Sequence, residues 1–286
     1  MFQLPSLPDS RFEDFVDRKT REAAAADLAP YVTDSAEARP DLVAVGNAWS
    51  RSLFDGDFYL SALPDTSRPA CNLVFVQSRD GNTGAPNPSA LGGGETDKHL
   101  IYEGLSRVAA DAVLAGVETV REGRLMFSVW HPELVRLRAS LGKPRHPVQV
   151  VATLRGIAFD RGLLFNSPDV RIVLLTIGAC ARLMDKDLDT RPWITPVVMD
   201  RPDDLPRAFA ELRRMGLERV SVVGGRKIAT QLIDAALVQD VYLTTSPRDG
   251  GEPNTPMYPR RLDGHLVVRK RGTGPDTGVV FDHTVL

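Results

Sequence analysis

Six short runs, apolar through most of their length and spaced along the chain by helical patterns and loops, constrain the fold more than any other feature. They are NLVFVQ (Asn72 to Gln77), DAVLAG (Asp111 to Gly116), PVQVVAT (Pro147 to Thr153), VRIVLLT (Val170 to Thr176), RVSVV (Arg219 to Val223) and DVYLTTS (Asp240 to Ser246). A strand with one wet face alternates apolar and polar residues. Runs lacking that alternation belong in a sheet covered on both faces, the usual setting of parallel strands. Helical periodicity fills the intervals. Ile101, Leu105 and Val108 recur at i, i+4 and i+7 in a helix from about Thr96 to Ala110. Leu205, Phe209 and Leu212 share a face of a second helix, opened by Asp203 and Asp204 and closed by Gly216 at C′. HLVVRKRG and GVVFDHTVL, on either side of Gly272 to Gly278, read as an antiparallel hairpin. The expected fold is α/β, a mostly parallel central sheet flanked by helices with a C-terminal antiparallel hairpin.

The 286 residues exceed what one average domain needs, and the charge pattern shifts near residue 69. Residues 1–69 carry 7 Lys+Arg against 12 Asp+Glu, the remainder 28 against 25. We therefore divide the chain into an N-terminal helical extension, 1–69, packed on a main domain, 70–286. The extension's helix is expected from about Arg11 to Ala29, with Asp9 or Ser10 as N-cap and Pro30 as its stop. A net charge of -2 provides no positive field for a nucleic-acid backbone or an anionic membrane, so neither partner is expected. Cys71 and Cys180 are too far apart in sequence to make a Cys-x-x-Cys pair, and MFQLPSLPDS lacks the basic start and apolar core of a secretory signal. A reducing, cytoplasmic setting is the expectation.

The strongest local signal is VSVVGGRKIATQLIDAALVQDVYLT, from Val220 to Thr244. A buried strand passes through Gly224-Gly225 straight into a helix, so open backbone N–H groups face whatever lies beyond the strand's C-terminal end. That is an anion site by construction, where nucleotides bind in open α/β sheets. Arg226 and Lys227 add positive charge, although a tight turn with a solvated basic pair is the plainer alternative. No Gly-x-Gly-x-x-Gly, Walker A or Gly-x-Ser-x-Gly sequence occurs. His131-Pro132-Glu133 is half of a zinc-deaminase signature whose Pro-Cys-x-x-Cys half is missing. His99, His146, His265 and His283 show no ligand spacing, and no metal is expected.

Three further segments gain meaning together: Ser78-Arg79-Asp80-Gly81, Ser89 to Gly93, and DAVLAGVETV from Asp111 to Val120. With Gly224 to Ile228 and Ala235 to Asp240 they resemble, in order and spacing, the reductase domain of bacterial riboflavin biosynthesis. This is the RibD C-terminal family, which shares the dihydrofolate reductase fold. The resemblance covers about Asn72 to Leu286. It implies an NADPH-dependent reductase that passes a hydride to the sugar C1 of a ribosylaminopyrimidine without metal, and a homodimer. It sets Gln77, Gly116, Thr119, Thr153, Arg155, Gly224, Gly225, Arg226, Lys227 and Ile228 against the cofactor. Asp80, Ser89 and Arg107 fall to the substrate, and Glu122 is the candidate proton donor. Arg155, Arg171, Arg182, Arg226 and Lys227 are the candidates for the 2′-phosphate that separates NADPH from NADH.

Two departures bear on the substrate. The family usually carries Glu immediately before the glycine pair, where this chain has Val223, and its phosphate-holding arginine is not at its place within Gly123 to Trp130. With Phe127 and Trp130 nearby, a dihydrofolate-like pteridine or another imine or carbonyl compound is the alternative substrate. A nucleotide-binding paralogue without turnover is the reading from another class.

Overall fold

The computed structural model describes residues 10–63, 67–85, 88–120, 126–159 and 162–286. Among these residues the strands are β1 (Tyr31–Ala36), β2 (Leu42–Val45), β3 (Phe58–Ser61), β4 (Ala70–Gln77), β5 (Ala112–Gly116) and β6 (Val148–Ala152). They continue as β7 (Ile172–Ile177), β8 (Ile194–Met199), β9 (Arg219–Val222), β10 (Asp240–Thr245), β11 (His265–Gly272) and β12 (Val280–Val285). The α-helices are α1 (Ser10–Ala24), α2 (Ala48–Phe54), α3 (Gly94–Thr96), α4 (Ser106–Val108) and α5 (Val117–Val120), then α6 (Pro132–Ser140), α7 (Gly178–Leu188), α8 (Leu205–Arg214) and α9 (Arg226–Asp234).

One sheet runs in the order β1-β11-β12-β10-β4-β9-β5-β6-β7-β8. From β10 to β8 every neighbouring pair is parallel, while β12, β11 and β1 add antiparallel strands at the other side. The missing two-residue alternation has its cause in two cores. Val74, Val113, Val151 and Leu174 face one hydrophobic cluster, whereas Leu73, Leu114, Val150 and Val173 face the other. Each strand thus buries both sets of side chains, as parallel strands do.

The sequence reading differs from the structure in four places. First, the extension is more than helical. β1 pairs with β11, with Tyr31 opposite Gly272, and β2 and β3 form a two-stranded sheet. Second, α1 ends at Ala24 rather than Ala29, because the chain straightens to reach Thr96: Ala29 N donates to Thr96 Oγ1 at 2.9 Å, and that hydroxyl donates back to Ala29 O at 3.1 Å. Third, β8 is an unforeseen strand whose Pro196 would break a central ladder but is tolerated at the sheet edge. Fourth, the helix expected over Thr96 to Ala110 widens to π geometry across Asp97–Leu105, with Gly104 at φ -130°, ψ -105°. Ile101, Leu105 and Val108 are buried as the spacing predicted, and Gly216 closes α8 at φ +86°.

Candidate active site

The C-terminal ends of β4, β5, β6 and β9 open into a cleft of about 2120 Å³. β9 leaves the sheet through Val223, Gly224 and Gly225 and becomes α9 at Arg226. Gly225 has φ +89°, and a Cβ there would meet Ile228 Cγ2 at 3.0 Å and Gly116 N at 3.5 Å. Only glycine lets this turn lie against the end of β5. No side chain caps the first turn of α9, which leaves its backbone N–H groups open toward an anion. Thr119 Oγ1 lies 3.4 Å from the position of a Cβ on Gly224, so α5 packs against the same turn.

The opposite wall is the π-helical segment, and it carries most of the buried polarity. Asp97 is 3% exposed, lines the cleft and accepts a hydrogen bond from Thr244 Oγ1 of β10. Burial, and then the neighbouring Asp276 charge, push its carboxyl up to about 7 even though the Thr244 bond opposes the shift. One turn on, Tyr102 donates from its hydroxyl to Val223 O at 2.8 Å, tying this wall to the glycine turn. Burial would raise the Glu103 carboxyl, but His99, Lys19 and Arg107 outweigh it and hold the group below its usual range. Arg107 is 1% exposed, with its guanidinium 4.7 Å from the Tyr102 ring centroid and 5.6 Å from that of Phe127. Phe15, Arg18 and Lys19 of α1 also line the cleft.

The RibD C-terminal domain profile matches residues 69–267. The chain belongs to the RibD C-terminal domain family. No curated protein gives a significant sequence match. Among solved structures, a pyrimidine reductase-like protein from Corynebacterium diphtheriae is 20% identical over 76% of this chain and 91% of its own, with a TM-score of 0.57. RibD of Acinetobacter baumannii is 16% identical over 77% of this chain with a TM-score of 0.57, and the chain spans only 58% of that protein. The riboflavin biosynthesis reductase Rib7 of Saccharomyces cerevisiae is 16% identical over 78% of this chain and 92% of its own, with a TM-score of 0.51. At these identities the likeness shows the fold alone, an α/β arrangement with a mostly parallel central sheet, as expected from the sequence.

Most of the residues that RibD-type motifs single out converge on the cleft. Gly116, Thr119, Thr153 and Arg155 line it beside the turn from Gly224 to Ile228. Ser89 and Arg107 lie on its other side. Two do not reach its lining: Gln77 spends its amide on Thr245 Oγ1 at 3.0 Å, and the Asp80 carboxylate is held in its turn by Ser78 Oγ and by Asn82 Nδ2. Arg171 and Arg182 are also outside the lining, while Arg226 sits 3.6 Å from Glu252 across the mouth. Glu122 falls outside the described residues, as do Gly123, Arg124 and Leu125. Of the aromatic pair near this segment, Phe127 lines the cleft, but Trp130 is buried against Phe15 and His146. Val223 lines the cleft and brings no charge.

Sequence reasoning missed Asp97, Tyr102 and the contribution of α1. A lone Asp in a helix carries no signal in one sequence; Thr244, which holds it, lies on a strand far along the chain. Among the described residues no group of three or more His, Cys, Asp or Glu side chains is arranged to hold a metal ion. No helix among them is long and apolar enough to cross a membrane.

Proposed function

We propose that the protein is an NADPH-dependent reductase of a carbon–nitrogen substrate. One observation carries the reading: a single cleft joins an uncapped glycine turn suited to phosphate with a buried carboxylic acid suited to donating a proton. NADPH fits the residues present. Gly225 leaves no room for a side chain, the first N–H groups of α9 are open, and Arg155, Arg226 and Lys227 line the same end. Gly116, Thr119 and Thr153 complete that wall. When bound, the dihydronicotinamide supplies a hydride.

The chain's own residues have two tasks. The cleft walls hold the acceptor carbon toward the nicotinamide and keep water out, which accounts for most of what hydride transfer needs. The substrate nitrogen also needs a proton as negative charge grows on it. Asp97 is the group suited to deliver it, because an acid titrating near 7 is protonated yet willing to donate at working pH. This assigns to Asp97 the role that motif matching gives to Glu122.

The first candidate substrate is the ribosylaminopyrimidine phosphate named for relatives of the fold, 5-amino-6-(5-phosphoribosylamino)uracil. A dihydrofolate-like pteridine is the second. The lining by Val223, Met126 and Phe127 beside one protonated acid favours it, since a flat heterocycle needs apolar faces and a hydrogen-bonding edge. Pairing into a homodimer belongs to the same proposal, and light scattering tests it. The deciding experiment is a titration of the purified protein with NADPH and NADH, followed by loss of the reduced-nicotinamide absorbance after adding each acceptor. Oxidation driven by the pyrimidine supports the first substrate, and oxidation driven by dihydrofolate the second. No binding of NADPH would overturn the proposal.

A further inference from the structure

One wall of the cleft comes from outside the family match. α1 precedes residue 69, where the match begins, yet it lines the cleft with Phe15, Arg18 and Lys19. Its position is fixed rather than incidental. Phe15 is buried edge-on against Trp130 with ring centroids 5.6 Å apart, and Phe12 packs the same way against His146 at 5.8 Å. These contacts anchor the apolar side of the helix. The next turn then presents Lys19, whose side chain is 17% exposed, with Nζ 3.3 Å from Glu103 Oε1.

Arg107 supplies the second observation. Its Nη1 donates to Ser128 O at 3.2 Å, while Nε and Nη2 are buried and make no hydrogen bond. Leaving two donors of a cationic group unsatisfied is expensive. A buried guanidinium with two unmet donors, on a side chain that lines the cleft, fits a two-oxygen anion: a carboxylate or a phosphate. The surrounding charges leave room for one. Glu103 lies 3.3 Å from Lys19 Nζ and also feels the Arg107 charge, and Glu22 is paired with Arg18 at 2.9 Å and Lys19 at 3.4 Å, so three cations stand against two carboxylates.

We propose that Lys19 and Arg18 of the extension join Arg107 in a receptor for an anionic group of the substrate, a phosphate or a carboxylate. The inference rests on the reductase reading for what the rest of the ligand is, but not for the anion. Glu103 has a positioning role, holding the Lys19 ammonium on the Arg107 side of the cleft. The extension thereby becomes a determinant of specificity rather than an appendage.

The test uses the full chain saturated with NADPH and two pairs of acceptors: the ribosylaminopyrimidine with and without its phosphate, and dihydrofolate against dihydrobiopterin, which lacks the glutamate. The readout is the ratio of kcat/KM for the charged member over the uncharged one. Lys19→Ala should lower that ratio about tenfold, the size of one partly buried charge-assisted hydrogen bond, and Lys19→Arg should restore most of it. A fall in the first pair identifies phosphate, a fall in the second carboxylate. Arg39→Ala, which removes a surface cation paired with Asp41 and outside the cleft lining, should leave the ratio unchanged. An unchanged ratio in both pairs, whether from equal losses or from none, would overturn the receptor. A second measurement is independent of turnover. Calorimetry with inorganic phosphate and with glutarate should show binding of at least one to the wild-type protein, weakened about tenfold by the Arg18→Ala, Lys19→Ala double change. Absence of binding by both anions sinks the proposal even if the enzyme is active. Anion binding without turnover of any acceptor leaves it standing while the reductase reading falls.

Discussion

Asp97 separates two things that a buried carboxylate does, and the separation can be measured. Its carboxyl titrates near 7 in the folded protein against the ordinary 3.8, so between those values the folded chain holds a proton that the unfolded chain has lost. Stability therefore falls as pH rises from about 4 to 7 and levels off above, by up to ~4 kcal/mol for a shift of this size. Asp97→Asn should abolish this slope and raise the melting temperature at pH 8, while lowering kcat by on the order of a hundredfold. In the wild type, kcat should fall as pH rises through 7 because the donor loses its proton. A pH–rate profile of the slow variant that keeps this limb would assign the acid elsewhere. At the other end of the cleft, an Arg226→Ala, Lys227→Ala double change should weaken NADPH by about tenfold and NADH by less, since a guanidinium–phosphate contact of roughly 1.5 kcal/mol or more is lost only for the former. Equal losses in a binding titration would move the 2′-phosphate to Arg155, which lines the same end.

The element that most shapes the site is the π-helical segment, and its wide turn has a local cause. A Cβ on Gly104 would lie 2.5 Å from Leu134 Cδ1 and 2.8 Å from His99 O, so this residue has no side chain because α6 and the preceding turn occupy the space. Gly104→Ala should cost roughly 1–3 kcal/mol, read as a lower denaturation midpoint at unchanged slope, and should weaken substrate more than cofactor because Tyr102, Glu103 and Arg107 move with the turn. Here the limits of sequence are concrete. The apolar run at Val220 and the glycines at 224 and 225 are local signals, and the strand, the turn and α9 all lie where they imply. Ile101, Leu105 and Val108 also predict the buried face of this segment. They do not reveal its wide turn, because the break at the non-helical Gly104 leaves all three side chains buried. Asp97 was illegible for a related reason: its environment comes from Thr244 and Asp276, long-range partners that no periodicity records.

At the scale of the molecule, the extension's place in the sheet decides whether the chain behaves as one unit or two. Charge composition marks a boundary near residue 69, yet the contacts across it are of the kind found inside a core. Phe54 and Phe58 pack against Phe281, with centroids 5.3 and 6.1 Å away, and Phe58 lies 4.6 Å from Tyr242. Asp240, buried at the start of β10, accepts hydrogen bonds from Ser61 N at 3.0 Å and Ser61 Oγ at 2.8 Å, and meets His283 Nε2 at 2.7 Å. One carboxylate thus joins the end of β3 to β10 and β12. Removing it leaves two buried polar partners without a mate, a loss on the order of 3 kcal/mol. If extension and main domain fold as one cooperative unit, Asp240→Ala must lower the stability of both by the same amount. Trp49 in the extension and Trp193 next to β8 report from the two parts of the chain. In variants keeping only one of these tryptophans, the two denaturation curves should coincide before the change and shift together after it. Loss of the Trp49 signal at lower denaturant than that of Trp193 would instead make the extension a separable unit. The anion receptor that includes Lys19 could then be lost while the cofactor end of the cleft stayed folded.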